Sequence, residues 1–142
     1  MVLIGKNLII APLDKNHENK NRKKIEIAQL DFLIKIKGEN DIEFISVASP
    51  KEKNSLYNTI NQNNVPALVL FTSGSSGEPK GALHDFSKLL KKFNVKRNAL
   101  LTINFLLFDH WGGLNTLFHV LSNGGTLVFS SKQEIQITYL SV

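Results

Sequence analysis

"LVLFTSGSSGEPKGALHDF", residues 68–86, sets an apolar run against a loop of glycines and small hydroxyl residues that closes on Pro79-Lys80-Gly81. The run belongs to "VPALVLFT" (Val65–Thr72), whose nearly continuous hydrophobicity predicts a strand buried on both faces. Such a strand delivers the loop to the carboxyl edge of a parallel sheet, where α/β folds bind ligands. Gly74 and Gly77 permit positive φ and close approach of backbone to ligand. Backbone N–H groups can then converge on an anion. Thr72, Ser73, Ser75 and Ser76 add hydroxyl donors, Pro79 stiffens the loop's exit, and Lys80 adds a cation. Charge-assisted hydrogen bonds contribute about 1.5–3 kcal/mol each, so a few of them can hold a triphosphate. The plainer reading is a flexible Gly/Ser turn, but a linker seldom leaves a buried strand and ends in Pro-Lys-Gly. The loop is not a Walker A motif, which closes on Gly-Lys-Ser/Thr. It also lacks the G-x-G-x-x-G spacing of a dinucleotide fingerprint.

Outward from the loop, strands and helices alternate. "LIIAPL" (Leu8–Leu13) predicts a short buried strand. "ENKNRKKIEIAQL" predicts a helix with Ile25, Ile27, Ala28 and Leu30 on its apolar side. "DFLIKIKG" and "IEFISVASP" (Ile42–Pro50) predict two strands. Ser49 and Pro50 are expected to open a helix over "KEKNSLYNTINQ". "HDFSKLLKKF" predicts a helix with Phe86, Leu89, Leu90 and Phe93 on one stripe. "ALLTINFLLF" (Ala99–Phe108) predicts a further buried strand and an aggregation hazard if left uncovered. "GGLNTLFHVLSNGG" predicts a helix led by Gly112-Gly113 and stopped at Asn123–Gly125, followed by the strand "TLVFS". The tail "SSKQEIQITYLSV" carries no clear stop signal, and whatever strand it forms runs to the last residue. The alternation argues an α/β fold with a largely parallel sheet flanked by helices.

Composition narrows the class. The chain has 142 residues, 42% hydrophobic and 20% charged, with a formal net charge of +5, as expected of one soluble globular unit. It has no cysteine, which excludes disulfides, thiolate metal sites and a thiol nucleophile. The basic segment "KNHENKNRKK" (Lys15–Lys24) reads as a solvated loop or helix start, or as a contact with something anionic. No aromatics interleave with those lysines, which argues against a nucleic-acid partner. No apolar stretch approaches the ~20 residues of a membrane helix, and the start lacks the features of a signal peptide. The expected location is cytoplasmic, with no membrane partner.

"FTSGSSGEPKGALH" closely resembles the phosphate-binding loop of the adenylate-forming superfamily, the AMP-binding acyl-CoA synthetases and adenylation domains. That loop runs Thr-Ser-Gly-Thr/Ser-Thr/Ser-Gly-x-Pro-Lys-Gly, and Phe71 through Gly81 match it at its defining positions. "FLLFDHWGGLNTLFHVLSNGGTLVF" (Phe105–Phe129) resembles the family's next core block. The resemblance implies that residues 1–142 are a partial, incomplete large N-terminal domain of the adenylate-forming fold, with no second domain present. It implies ATP and Mg²⁺, a small carboxylic acid as substrate, and coenzyme A or a carrier-protein pantetheine as acyl acceptor. It implies that Thr72, Ser73, Gly74, Ser75, Ser76 and Gly77 wrap the β- and γ-phosphates while Lys80 neutralises their charge. His110 would sit near the carboxylate pocket beside Gly112 and Gly113, or Asp109 would fill the slot that amine-recognising members give to an Asp. Where the family has a Ser/Thr-His pair after the loop, this chain has Asp85-Phe86. His84 is assigned no role.

The family's adenine-site Thr-Glu motif, ribose-binding Asp and late catalytic Lys are not among these residues. The expectation is a fragment, truncated product or split subunit of an ATP-dependent carboxylate-activating ligase, inactive alone, completed by the remainder of the enzyme and poorly soluble without it. The alternatives are a stand-alone phosphate- or nucleotide-binding or regulatory module, and an unrelated α/β phosphate-binding protein.

Overall fold

A computed structural model describes residues 6–14, 18–38, 40–73 and 77–129. Strand β4 (Ala67–Ser73) is its centre. It pairs in parallel with β1 (Ile9–Ile10) and antiparallel with β5 (Pro79–Asp85), giving the order β1-β4-β5. Ala67 through Phe71 are all buried, as the unbroken apolar run predicts. Side chains alternate across a strand, and the two faces of β4 carry two cores. Val69 and Phe71 pack with Ala28 and Tyr57. Leu68 and Leu70 pack with Phe86 and Leu114. Each buried Val, Leu or Phe side chain among them contributes about 1.5–3 kcal/mol.

Four α-helices flank the described strands. Helix α1 (Glu18–Ile27) and α2 (Ser55–Gln62) supply the first face; α3 (Phe86–Lys91) and α4 (Trp111–Ser122) supply the second. The Tyr57 hydroxyl donates to the Ala28 carbonyl at 2.8 Å, tying α2 to the end of α1. Burial pushes the Tyr57 phenol above its usual range.

Two further pairs complete the described strands. Strands β2 (Phe32–Ile36) and β3 (Ile42–Ser46) form an antiparallel hairpin. Strands β6 (Leu101–Asn104) and β7 (Thr126–Phe129) pair in parallel, with α4 between them in sequence.

The largely parallel sheet is present only in part, in the β1–β4 and β6–β7 pairings, within a mixed α/β arrangement of small sheets. Among the described residues, two of the four strand pairings are antiparallel. The reason is connection length: a few residues can close only an antiparallel pair, whereas a parallel one needs a crossover of a dozen or more. The glycine loop is such a short connection, so the chain folds back along β4 as β5. The expected helix over "HDFSKLLKKF" accordingly starts at Phe86, and Phe93 falls in a 3₁₀ turn, Lys92–Asn94.

Other boundaries move for local reasons. Ser49 does not cap a helix, because its hydroxyl donates to the Gln29 carbonyl at 3.1 Å. Helix α2 begins instead after Asn54, whose side chain accepts from Leu56 N–H at 3.0 Å. The strand expected over Ala99–Phe108 stops at Asn104, whose buried amide donates to the Leu106 carbonyl at 2.9 Å. Helix α4 starts at Trp111, one residue before the glycines expected to lead it. The tail, 130–142, lies outside the described residues.

Apolar side chains remain uncovered on both small sheets, among them Phe32 and Phe44 on the hairpin and Leu101 and Ile103 on β6. Parallel pairs are ordinarily covered on both faces, and β6–β7 presents Leu101, Ile103 and Val128 outward. Among the described residues no helix is long and apolar enough to cross a membrane.

Candidate functional site

The hairpin made by β4 and β5 sets the geometry. Thr72 stands directly opposite Lys80, and Ser73 opposite Pro79. Directly opposed residues share a face of the sheet, and alternation puts Thr72 and Lys80 on the face of Leu68 and Leu70. Both Thr72 and Lys80 are exposed. Gly77, two residues before the returning strand, has φ of +78°. A side chain at that φ is strained, so glycine is required by the backbone itself. Gly74, Ser75 and Ser76 lie outside the described residues.

The second predicted block reaches the same place. Phe108 and Trp111 pack against the core on the α4 face of β4. Asp109, between them, meets Lys24 of α1 at 3.1 Å, and the Lys24 ammonium lies 5.4 Å from the ring centroid of Phe71 on the opposite face. The Phe108–Trp111 segment thus crosses the end of β4 at the root of the glycine loop. His110 is the N-cap residue of α4, with an exposed imidazole and no side-chain capping bond. Its Nε2 lies 3.5 Å from Asp109 Oδ1. Asp109 is buried and its carboxylate faces an internal cation, while its Oδ1 has no hydrogen-bond partner.

The glycines of this block have distinct reasons. A Cβ on Gly113 would lie 2.2 Å from the Leu107 carbonyl oxygen, so glycine is what lets α4 seat against the preceding segment. A Cβ on Gly112 would meet only the end of the Leu106 side chain, at 2.9 Å. A groove of about 640 Å³ between α1 and residues 47–50 is lined by Arg22, Glu26 and Gln29, and none of the expected site residues lines it.

Asp85 and Phe86, which stand in place of the Ser/Thr-His pair, have structural employment. Phe86 is buried against Phe118, ring centroids 5.4 Å apart. Asp85 caps α3: Oδ1 accepts from Ser87 Oγ at 2.5 Å and from Lys88 N–H at 3.2 Å. The Ser87 bond above all, with Lys88, holds its carboxyl below the usual range. A depressed pKa stabilises the fold above the unfolded value of about 3.9 and is lost as pH falls through the folded value. Asp85→Ala is expected to cost about 1 kcal/mol at pH 7. Thermal unfolding should show that difference shrinking as acidification protonates the folded carboxyl.

Sequence reasoning passed over the residues that tie these parts together. Lys23 and Lys24 sit in the basic segment read as solvated. Lys23 Nζ reaches both carboxylate oxygens of Glu78, at 2.6 and 2.8 Å, across the exit of the glycine loop. The one available signal was the alternative of a contact with something anionic, and the anions are carboxylates of the same chain.

The sequence matches the AMP-binding enzyme family over residues 2–138. The chain belongs to that family. It is 35% identical over 80 residues to a carboxylic acid reductase of Mycobacterium tuberculosis, which is 51% of this chain and 7% of that protein. It is 36% identical over 67 residues to the acyl-CoA ligase oryP of Aspergillus oryzae, 44% of this chain and 12% of that one. It is 32% identical over 76 residues to the nonribosomal peptide synthetase echPS of Aspergillus ruber, 48% of this chain and 4% of that one. The matched stretch is thus a small part of each relative. No solved structure gives a significant match.

Proposed function

We propose that the chain is a fragment of an ATP-dependent carboxylate-activating ligase that carries the phosphate clamp. The observation that supports this most is the pairing of Thr72 with Lys80 across a hairpin whose turn carries a positive-φ glycine. Family membership and relatives named as an acyl-CoA ligase and a peptide synthetase support the same reading. The reaction of the whole enzyme is then acyl-adenylate formation. A carboxylate oxygen attacks the α-phosphorus of ATP, the bond to the bridging oxygen breaks, and pyrophosphate leaves. A thiol, of coenzyme A or a carrier-protein pantetheine, then takes the acyl group and AMP departs.

In this reading Thr72, Ser73, the Gly74–Gly77 backbone and the Ser75 and Ser76 hydroxyls hold the β- and γ-phosphates. Lys80 offsets the negative charge that grows on the leaving pyrophosphate. His110, exposed at the start of α4, faces the acid, with Gly112 and Gly113 beside it. Asp109, held by Lys24, orients that segment rather than meeting the substrate. No grouping of three His, Asp or Glu side chains among the described residues could hold a metal alone. Mg²⁺, which the family uses with ATP, would share the neutralisation of charge with Lys80.

The fragment holds triphosphate weakly and completes no adenylation; a location in the cytoplasm suits a chain without cysteine. Calorimetric titration with tripolyphosphate should show binding that Lys80→Ala weakens about tenfold or more. ATP–pyrophosphate exchange with any carboxylic acid should be absent. Exchange by the isolated chain would overturn the inactivity. Tight binding of a non-nucleotide phosphate with no response to ATP would instead favour a separate phosphate-binding module.

A further inference from the structure

Helix α1 reaches both ends of the glycine loop through adjacent lysines. Lys24 lies over Phe71, the residue before Thr72, and pairs with Asp109. Lys23 holds Glu78, two residues before Lys80. We propose that α1 is the buttress and counter-charge of the phosphate loop, with Lys24 a positioning residue and Lys23 a screen for Glu78. The inference rests on reading that loop as a triphosphate site.

Two physical needs converge here. A Gly/Ser loop has little side-chain packing of its own, so its donors converge on an anion only if the flanks are fixed beforehand. The β4–β5 ladder fixes the flanks relative to each other through Thr72 opposite Lys80. It does not fix them relative to the segment carrying His110. Lys24 does: its side chain is 12% exposed and Asp109's is 4% exposed, so the pair is sheltered from solvent screening. Ile27 on the same helix packs at Gly81, where an added Cβ would come within 3.3 Å of it, so α1 lies close against β5 as well.

The second need is electrostatic. Glu78 and Asp109 are carboxylates flanking a place proposed to take a polyanion, and each would repel it. Each is paired with a lysine of α1. The lysines thereby leave the charge of Lys80 available to the phosphates.

The test is a titration of the full chain with tripolyphosphate at low ionic strength, for the unaltered protein, Lys23→Gln, Glu78→Gln and the double variant. Lys23 and Glu78 are both more than half exposed, so these changes leave the core intact. Lys23→Gln is expected to weaken binding about fivefold, as an uncovered carboxylate near an anion requires. Adding Glu78→Gln to it should restore affinity to within about twofold. Unchanged affinity in Lys23→Gln overturns the screening role. So does an equal loss with Glu78→Gln present, which would mean that Lys23 touches the phosphate itself.

Lys24 is half-buried and paired with a buried carboxylate, so its positioning is tested with Lys24→Arg and with the charge-free pair Lys24→Met/Asp109→Leu. Amide exchange at Thr72, Gly77, Glu78 and Lys80, compared with α2, should quicken about tenfold in the charge-free pair and stay near normal in Lys24→Arg. Equal protection in both regions overturns the positioning role. Absence of tripolyphosphate binding by the unaltered chain removes the phosphate-loop reading and the screening role with it, whereas amide exchange still decides the buttress.

Discussion

Lys24→Met is expected to destabilise the fold by about 3–5 kcal/mol, because it leaves Asp109 buried without its cation. The Asp109 side chain is only 4% exposed, and one of its oxygens already lacks a hydrogen-bond partner. Water cannot reach it to replace the ammonium, so the desolvation penalty of the carboxylate is felt almost in full. The same substitution leaves Phe71 without the cation lying over its ring. Small domains have roughly 5–15 kcal/mol in total, so the single variant stands near the edge of folding. Adding Asp109→Leu removes the stranded charge and should recover most of the loss, since apolar replacements of buried pairs are often neutral. Chemical denaturation of the two variants measures this directly. A single variant as stable as the parent would mean that Asp109 has water or another donor at hand.

Gly113→Val is expected to prevent α4 from seating. The first added carbon would lie 2.2 Å from the Leu107 carbonyl oxygen and 2.8 Å from its carbon, both backbone atoms that cannot swing aside. Overpacking against side chains costs about 1–3 kcal/mol, and here the chain itself must shift, so the upper end or more is expected. The shift would pull Leu114 from the core it shares with Leu68, Leu70 and Phe86. Gly112→Ala makes the comparison, because its added carbon meets only the tip of Leu106. Loss of Trp111 near-ultraviolet ellipticity in Gly113→Val but not in Gly112→Ala would establish the difference. Equal effects would show that α4 tolerates displacement.

The pattern of successes and corrections has physical causes. The β4 strand was legible because burial on both faces leaves a continuous apolar run. Helix α4 was legible because small residues and an Asn-Gly-Gly stop bracket its apolar positions. Strand β5 was not. Pro79, Gly81 and Ala82 carry little hydrophobicity, and its order comes from pairing with β4 rather than from its own composition. The role of Lys24 was hidden for another reason: its partner is 85 residues away, and a lysine among lysines offers no periodic signal. The expectation that Ser49 and Pro50 open α2 failed because a hydroxyl has several possible acceptors, and the Gln29 carbonyl is one that only the fold supplies. The glycine loop itself was read from chemistry, and the hairpin geometry adds the opposition of Thr72 and Lys80 that the sequence does not contain.

The uncovered faces of β2–β3 and β6–β7 fit the short span that this chain shares with its relatives. In the proposed reading they are where the remainder of an adenylating domain would lie.

That reading is tested most directly by titrating the unaltered chain and Lys80→Ala with tripolyphosphate and with ATP, at low protein concentration. The account predicts weak binding of both ligands, with ATP gaining little over tripolyphosphate, and a loss of about tenfold or more on removing the Lys80 ammonium. Binding that ignores Lys80, or ATP held far more tightly than tripolyphosphate, would contradict it.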